Sequence, residues 1–261
     1  MTKPSKTRLD QLLVDRGLAD SRTKAQALVM AGLVFGTDRR LDKPGAQVAE
    51  DAEIMVKGKD HPWVSRGGQK LAKGLEHFHI DPTGFTCLDL GASTGGFTDV
   101  LLTKGAAKVY AIDVGQGQLD WKLRTDDRVV VMEKTNARHL TAKQVPDPID
   151  LIVCDVSFIG LEKVLPPAMA LAKPGARLVA LIKPQFQAGP GQVGKGGVVR
   201  DPAVHEQVCQ EVSAFVADDC GWTVLGITPS PIKGPEGNVE FLIGAVKRDL
   251  VLKLQKVDSK F

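Results

Sequence analysis

The chain has 261 residues, of which 43% are hydrophobic and 25% charged, the profile of an ordinary soluble protein with room for one large domain or for a large and a small one. No apolar run approaches the roughly 18 residues of a membrane helix, the start MTKPSKTRLD has no apolar core for a signal peptide, and Cys87, Cys154, Cys209 and Cys220 lack the spacing of a zinc site or a disulfide framework, so a cytoplasmic protein without membrane contact or metal is expected. The net charge is only +3, but residues 1–76 carry 14 Lys and Arg against 10 Asp and Glu, which favours a polyanion there.

In chain order, Leu9, Leu12 and Leu13 recur at helical spacing between Thr7 and Gly17. A second helix is expected from about Arg22 to Ala31, with Ser21 as N-cap and Gly32 closing it, followed by short strands at LVFG and EIMVKG. Arg22 and Lys24 sit in the first turn of that helix, where the macrodipole disfavours cations; a polyanion bridging them would remove the conflict. With Arg39, Arg40 and Lys43 in the next turn, a phosphate-binding face is expected, against the alternative of solvated surface charge. RLDQLLVDRGLADSRTKAQALVMAGLVFG resembles the small RNA-binding domain named after a ribosomal small-subunit protein. The match covers most of residues 7–58, so residues 1–60 are read as that domain and residues 61–65, HPWVS, as a linker broken by Pro62. Trp63 could dock the two domains or cover local apolar surface.

SRGGQKLAKGLEHFHI is an amphipathic helix, with Leu71, Leu75 and Phe78 in one stripe and Arg66, Lys70 and Lys73 on an adjacent face. The stretch CLDLGASTGGFTD follows, from Cys87 to Asp99. Phe85 to Leu90 is short, apolar and bounded by glycines, as a buried parallel strand should be. Gly91, Gly95 and Gly96 allow a sharp turn with close backbone approach to a ligand, and a helix from about Phe97 to Lys104 would aim its N-terminus there. GASTGG is not the GxGxxG of a dinucleotide enzyme. Asp113, about twenty residues on at the end of KVYAID, stands where doubly wound folds hold a ribose hydroxyl pair. Together these favour an adenosine-containing cofactor.

Further strands are expected at RVVVME, DLIVCD, ARLVALIK, WTVLGIT and NVEFLIGAV. Helices are expected around Leu161 to Ala172, disturbed by Pro166 and Pro167, and from about Ala203 to Ala217. The alternation argues a mostly parallel, doubly wound α/β sheet over residues 66–248. Its last two strands, with no crossover helix between them, should be antiparallel neighbours, the seven-strand pattern of the Rossmann-like methyltransferase fold. Residues 249–261 read as a charged tail that could extend as a loose helix. GPGQVGKG at Gly189 to Gly196 matches GxxxxGK, but Gly196 replaces the Ser or Thr of a P-loop; a loop that covers substrate suits five glycines in nine residues better.

Reacting groups in open α/β sheets gather beyond the carboxyl ends of the strands. Asp155 ends DLIVCD, Lys183 ends ARLVALIK, Glu240 lies early in the reversed last strand, and Lys70 comes from the helix before the first strand. Two lysines and two carboxylates at one edge suit methyl transfer to a ribose hydroxyl, in which the protein aligns an oxygen and removes its proton. A lysine base, with a reference pKa of about 10.4, must be brought toward roughly 7–8 by a second ammonium and desolvation. Lys183 is assigned as base, Lys70 as the neighbouring cation, and Asp155 and Glu240 as orienters, with the two lysines open to exchange.

VSRGGQKL, LDLGASTGGFTD, CDVSFI, LIKPQF and GNVEFL resemble, in this order, the motifs of the haemolysin A (TlyA) family of ribosomal RNA 2′-O-methyltransferases, related to the FtsJ-type enzymes. The resemblance implies S-adenosylmethionine as donor, cytidine riboses of ribosomal RNA or ribosomal subunits as acceptor, and a Lys-Asp-Lys-Glu tetrad falling on Lys70, Asp155, Lys183 and Glu240. The cofactor site is expected at Asp89, Gly91, Ala92, Ser93, Thr94, Gly95, Gly96, Phe97, Asp113, Asn136 and Asp155, and RNA contacts at Arg8, Arg22, Lys24, Arg39, Arg40 and Arg66. Members commonly carry an acid where this chain has Gln187. The competing readings are a non-catalytic RNA-binding assembly factor, against which the intact tetrad argues, and a pore-forming haemolysin, against which the absence of a spanning segment or amphipathic hairpins argues.

Overall fold

The computed structural model describes residues 5–19, 21–37, 39–56, 61–189 and 191–248; the expected tail helix and the end of the EIMVKG strand lie outside them. The chain divides into two compact units, Met1–Pro62 and Trp63–Phe261.

In the first unit, β1 (Lys6–Arg8) runs into α1 (Leu9–Asp15), followed by α2 (Arg22–Met30), β2 (Val34–Gly36), β3 (Gln47–Ala49) and β4 (Ile54–Val56). Ser21 Oγ accepts from Lys24 N at 3.2 Å, the expected cap, and Gly17 and Gly32 take the positive φ that ends each helix. Leu9, Leu13, Ala25, Val29 and Val34 form the small core. Sequence pattern does not reveal β1 and β3. Each is three residues long, too short for a visible period of two, and they exist because they pair antiparallel with each other.

The second unit opens with α3 (Gly67–His77), then β5 (Thr86–Leu90), α4 (Gly96–Thr103), β6 (Lys108–Ile112), α5 (Trp121–Arg124), β7 (Val129–Met132) and β8 (Ile149–Cys154). It continues with α6 (Leu161–Leu171), β9 (Ala172–Ile182), α7 (Pro184–Gln187), α8 (Pro202–Ala214), β10 (Trp222–Pro229) and β11 (Phe241–Lys247). The seven strands lie in the order β10-β11-β9-β8-β5-β6-β7. β5 to β9 are mutually parallel, and β11 runs antiparallel to both neighbours. This is the expected mostly parallel methyltransferase sheet with a reversed last strand. The order turns back between β5 and β8, the switch point at which such sheets bind ligands.

Strand alternation splits the core into two layers. Leu88, Leu90, Tyr110 and Ile112 pack beneath α6 and α8, while Cys87, Val109 and Ala111 face α3 and α4. The α3 stripe Leu71, Leu75 and Phe78 enters the second layer as expected, and Trp63 covers Gly68 of the same helix, within its own unit.

Two expectations are corrected. The helix expected around Leu161 to Ala172 forms, and Pro166 and Pro167, expected to disturb it, leave α6 continuous around them. Both prolines lie away from the buried Leu161, Val164, Leu165, Ala168 and Met169, so the unpaired carbonyls one turn earlier fall on the outer side, and burial of the apolar face outweighs two missing hydrogen bonds. Glu240 lies just before β11 rather than inside its strand. There its backbone carbonyl accepts from Ser230 N at 2.9 Å.

Candidate active site

At the switch point the ends of β5 and β8 nearly touch. Asp155 N donates to Leu90 O at 3.0 Å, and a Cβ on Gly91, whose φ is +80°, would stand 2.8 Å from the Asp155 carbonyl. Only glycine turns the chain here without a clash. The turn continues through Ser93 (φ +49°) and Gly95 (φ +96°) into α4, whose N-cap Gly95 supplies no side-chain cap, so the first N–H groups of that helix stay available to a ligand.

Two adjoining cavities open at this edge. The larger, about 470 Å³, runs past Gly91, Ser93, Asp113, Asn136, Arg138 and Val156, within the ~300–1,000 Å³ typical of small-molecule sites. The smaller, about 230 Å³, is bounded by Arg66, Lys70, Ala92, Thr94, Gly96, Phe97 and Lys183. Gly91, Ser93, Asp155 and Ser157 line both, so they are two lobes of one site.

In the larger lobe, the Asp113 carboxylate accepts from Ser93 N at 2.8 Å and Gly115 N at 2.7 Å, which leaves one lone pair on each oxygen for a diol. Asn136 Oδ1 accepts from Arg138 N at 3.0 Å and starts a short helical turn at the wall. Of the expected cofactor residues, Asp89 and Gly95 line neither lobe. Gly95 faces Leu119 and Leu123, and Asp89 is fully buried beneath the turn, where Thr98 Oγ1 donates to its Oδ2 at 2.6 Å. Burial pushes the Asp89 carboxyl up to about 7; the Thr98 bond opposes this and the Asp155 charge adds to it.

Of the four residues expected at this edge, Lys70, Asp155 and Lys183 line the smaller lobe, while Glu240 lines neither lobe and is buried behind Lys70. Lys70 Nζ donates to Glu240 Oε2 at 2.5 Å and stands 3.9 Å from Asp155 Oδ2; Lys183 Nζ lies 2.5 Å from Asp155 Oδ1. Lys70, Lys183 and Glu240 are buried, and only Asp155 is partly open. Strand register explains the convergence, since Phe241 pairs with Ile182 and so brings Glu240 beside Lys183. Lys73 does not join them, because it leaves α3 on the exposed side and meets Glu76 at 3.8 Å.

Sequence reasoning passed over Ser157, whose Oγ accepts from Lys183 Nζ at 2.9 Å; its place two residues after Asp155 in CDVSFI was the available signal. Gln187 also acquires a role. Its Oε1 accepts from Leu161 N at 2.6 Å and caps α6 across 26 residues, while its Nε2 donates to Glu162 Oε2 at 3.3 Å, a contact that an acid at this position would turn into repulsion. Two thiols are poor nucleophiles, with burial raising the buried Cys154 to about 12 and the half-buried Cys209 to about 11.

The expected phosphate contacts divide. Arg66 is exposed at the smaller lobe in the second unit. In the first unit, Arg8 donates twice to Asp10 at 2.9 Å, and Arg22 Nη2 reaches the same carboxylate at 3.3 Å. An internal carboxylate thus answers the misplaced cation at the start of α2, and about half of each arginine side chain stays exposed. Lys24 and Arg39 are exposed, as is Arg40, whose side chain lies against Gly32.

Comparison with known proteins agrees with this architecture. The family described as FtsJ-like methyltransferase matches residues 63–247, and the S4 domain matches residues 7–54. The chain is 48% identical over 239 residues to the 16S/23S rRNA (cytidine-2'-O)-methyltransferase TlyA of Mycobacterium tuberculosis, covering 91% of this chain and 89% of that protein. It is 42% identical to Hemolysin A of Brachyspira hyodysenteriae, over 90% of this chain and 98% of that one. The solved structure of a candidate hemolysin from Streptococcus thermophilus superposes with a TM-score of 0.74 at 45% identity, covering 95% of this chain and 90% of that one.

Proposed function

Because this chain belongs to the FtsJ-like methyltransferase family and carries an S4 domain before the catalytic unit in sequence, we propose that it methylates a ribose 2′-hydroxyl, that of a cytidine, in ribosomal RNA or ribosomal subunits in the cytoplasm, with S-adenosylmethionine as donor. The observation that carries this is Lys70, Lys183 and Asp155 at one lobe, with Lys70 backed by the buried Glu240, in a site whose other lobe presents Asp113 beside a glycine turn.

The residues present suit that cofactor. Asp113 has lone pairs for the ribose diol, the open N–H groups at the start of α4 suit a carboxylate, and Ile112, Val156 and Val164 give an apolar wall for a base. When bound, S-adenosylmethionine supplies a methyl group attached to a positively charged sulfur. The protein must align the acceptor oxygen and remove its proton. Lys183 is the base: it reaches one carboxylate and one hydroxyl and lines the smaller lobe. Lys70, held between two carboxylates, is the fixed cation that steers the acceptor. Asp155 touches both lysines and sets their spacing. Arg8, Arg22, Lys24, Arg39, Arg40 and Arg66 are the phosphate contacts, which position RNA without reading its sequence.

The test is transfer of labelled methyl groups to ribosomal RNA and to isolated subunits by wild type and by Asp155→Ala and Lys183→Ala proteins of native circular dichroism. Incorporation by wild type alone, located at a cytidine 2′-oxygen, supports the assignment. Equal incorporation by all three proteins rejects the tetrad, and none by wild type on either substrate rejects the activity.

A further inference from the structure

We infer that Ser157 is a positioning residue for Lys183: beside the Asp155 ion pair, its hydroxyl accepts from the Lys183 amine and orients it at the wall of the acceptor lobe. This rests on Lys183 being the base.

Lys183 Nζ donates to Ser157 Oγ at 2.9 Å and forms an ion pair with Asp155 Oδ1 at 2.5 Å. The ion pair sets the distance of the amine without directing any one N–H, whereas the Ser157 bond takes up one N–H along a defined axis. In the neutral amine the lone pair is then confined to the directions that this axis leaves. Lys183 and Ser157 both line the smaller lobe, so the bond stands at the wall of the space where an acceptor hydroxyl would sit. Misdirection of a base lone pair reduces proton transfer without weakening the binding of either substrate.

Ser157 is exposed, and its loop meets the segment after Lys183 through one neighbour. Phe158, the next residue, has φ +65° and is 89% exposed, and its ring meets that of Phe186 with centroids 4.9 Å apart. Phe186 belongs to α7, which begins at Pro184, immediately after Lys183. The loop that carries the hydroxyl and the segment that follows the amine therefore meet in one aromatic contact. Sequence distance gives no hint of this, since 26 residues separate Ser157 from Lys183.

The experiment compares wild type, Lys183→Ala, Ser157→Ala and Ser157→Thr full-length proteins of native circular dichroism by steady-state methyl transfer to ribosomal RNA. Ser157→Ala is expected to lower kcat about tenfold, with KM for RNA and for S-adenosylmethionine within about twofold of wild type, and Ser157→Thr, which keeps the hydroxyl, to recover most of the loss. If Lys183→Ala is inactive while Ser157→Ala turns over like wild type, the inference is wrong and the base assignment survives. A loss in Ser157→Ala that appears in KM alone, or that Ser157→Thr does not relieve, also overturns it. If Lys183→Ala keeps wild-type kcat, the base assignment fails and this inference fails with it.

Discussion

Lys70 and Glu240 are 170 residues apart in the chain, and their side chains meet at 2.5 Å, with both groups buried. Removing one member of such a pair leaves a charge inside the protein with a weaker partner, here Asp155 at 3.9 Å. Glu240→Ala is expected to cost about 3–5 kcal/mol of stability and to abolish methyl transfer. Glu240→Gln, which keeps the shape and one acceptor, should unfold closer to wild type in urea and remain inactive. An active, fully stable Glu240→Ala protein would show the pair to be incidental.

Gly91 is the position where the turn has no alternative. Its φ of +80° and the Asp155 carbonyl 2.8 Å from an added Cβ both oppose a side chain. Gly91→Ala is expected to cost roughly 1–3 kcal/mol in local strain. It should also weaken S-adenosylmethionine binding more than tenfold by calorimetry, because the displaced residues line both lobes. Gly84→Ala, where φ is +75° but no atom lies within 4 Å, separates the two effects: it should lose stability and keep cofactor affinity.

Asp89 makes stability depend on pH near neutrality. Its folded-state pKa is raised to about 7, above the unfolded value. Its contribution is therefore full below about pH 4 and is lost as pH rises toward 7, since the folded state retains a proton that the unfolded chain has released. Asp89→Asn removes the titration and keeps an acceptor for Thr98. Thermal melts between pH 5 and 8 should fall less steeply for this variant than for wild type, and parallel curves would refute the account.

In the first unit the sign reverses. Arg8 first, then Gln26 and Arg22, hold the buried Asp10 carboxyl well below the usual carboxylate range. The stabilisation it gives is present above the unfolded pKa of about 4 and disappears as pH falls through the depressed folded value. Asp10→Asn should raise hydrogen exchange across Leu9–Asp15 and Arg22–Met30. It should also weaken binding to ribosomal RNA while reducing the salt slope only slightly, because both arginines remain but lose their common anchor. Unchanged exchange and affinity would make Asp10 a passive partner.

Much of the scaffold is legible from local pattern. The run before Gly91, the Ser21 cap, the Leu71–Leu75–Phe78 stripe and the alternation of strand and helix each depend on residues within about ten positions of one another, where side-chain period and backbone preference act directly. Legibility ended where packing overrode preference, as in α6 with its two prolines, or where an element was too short to show a period, as in β1 and β3.

The sequence by itself determined the order of strands and helices, the glycine turn with Asp113 behind it, and the edge at which Lys70, Asp155, Lys183 and Glu240 collect. Only the tertiary structure decided who touches whom. It paired Lys70 with Glu240 and Lys183 with Asp155, gave Lys183 the Ser157 hydroxyl, placed Gln187 at the start of α6, and buried Asp89 beneath the turn it had been expected to share with a ligand. These contacts follow from strand register and helix packing between segments 26 to 170 residues apart. Distances of that kind are set by the closing of the whole core, and no local pattern encodes them.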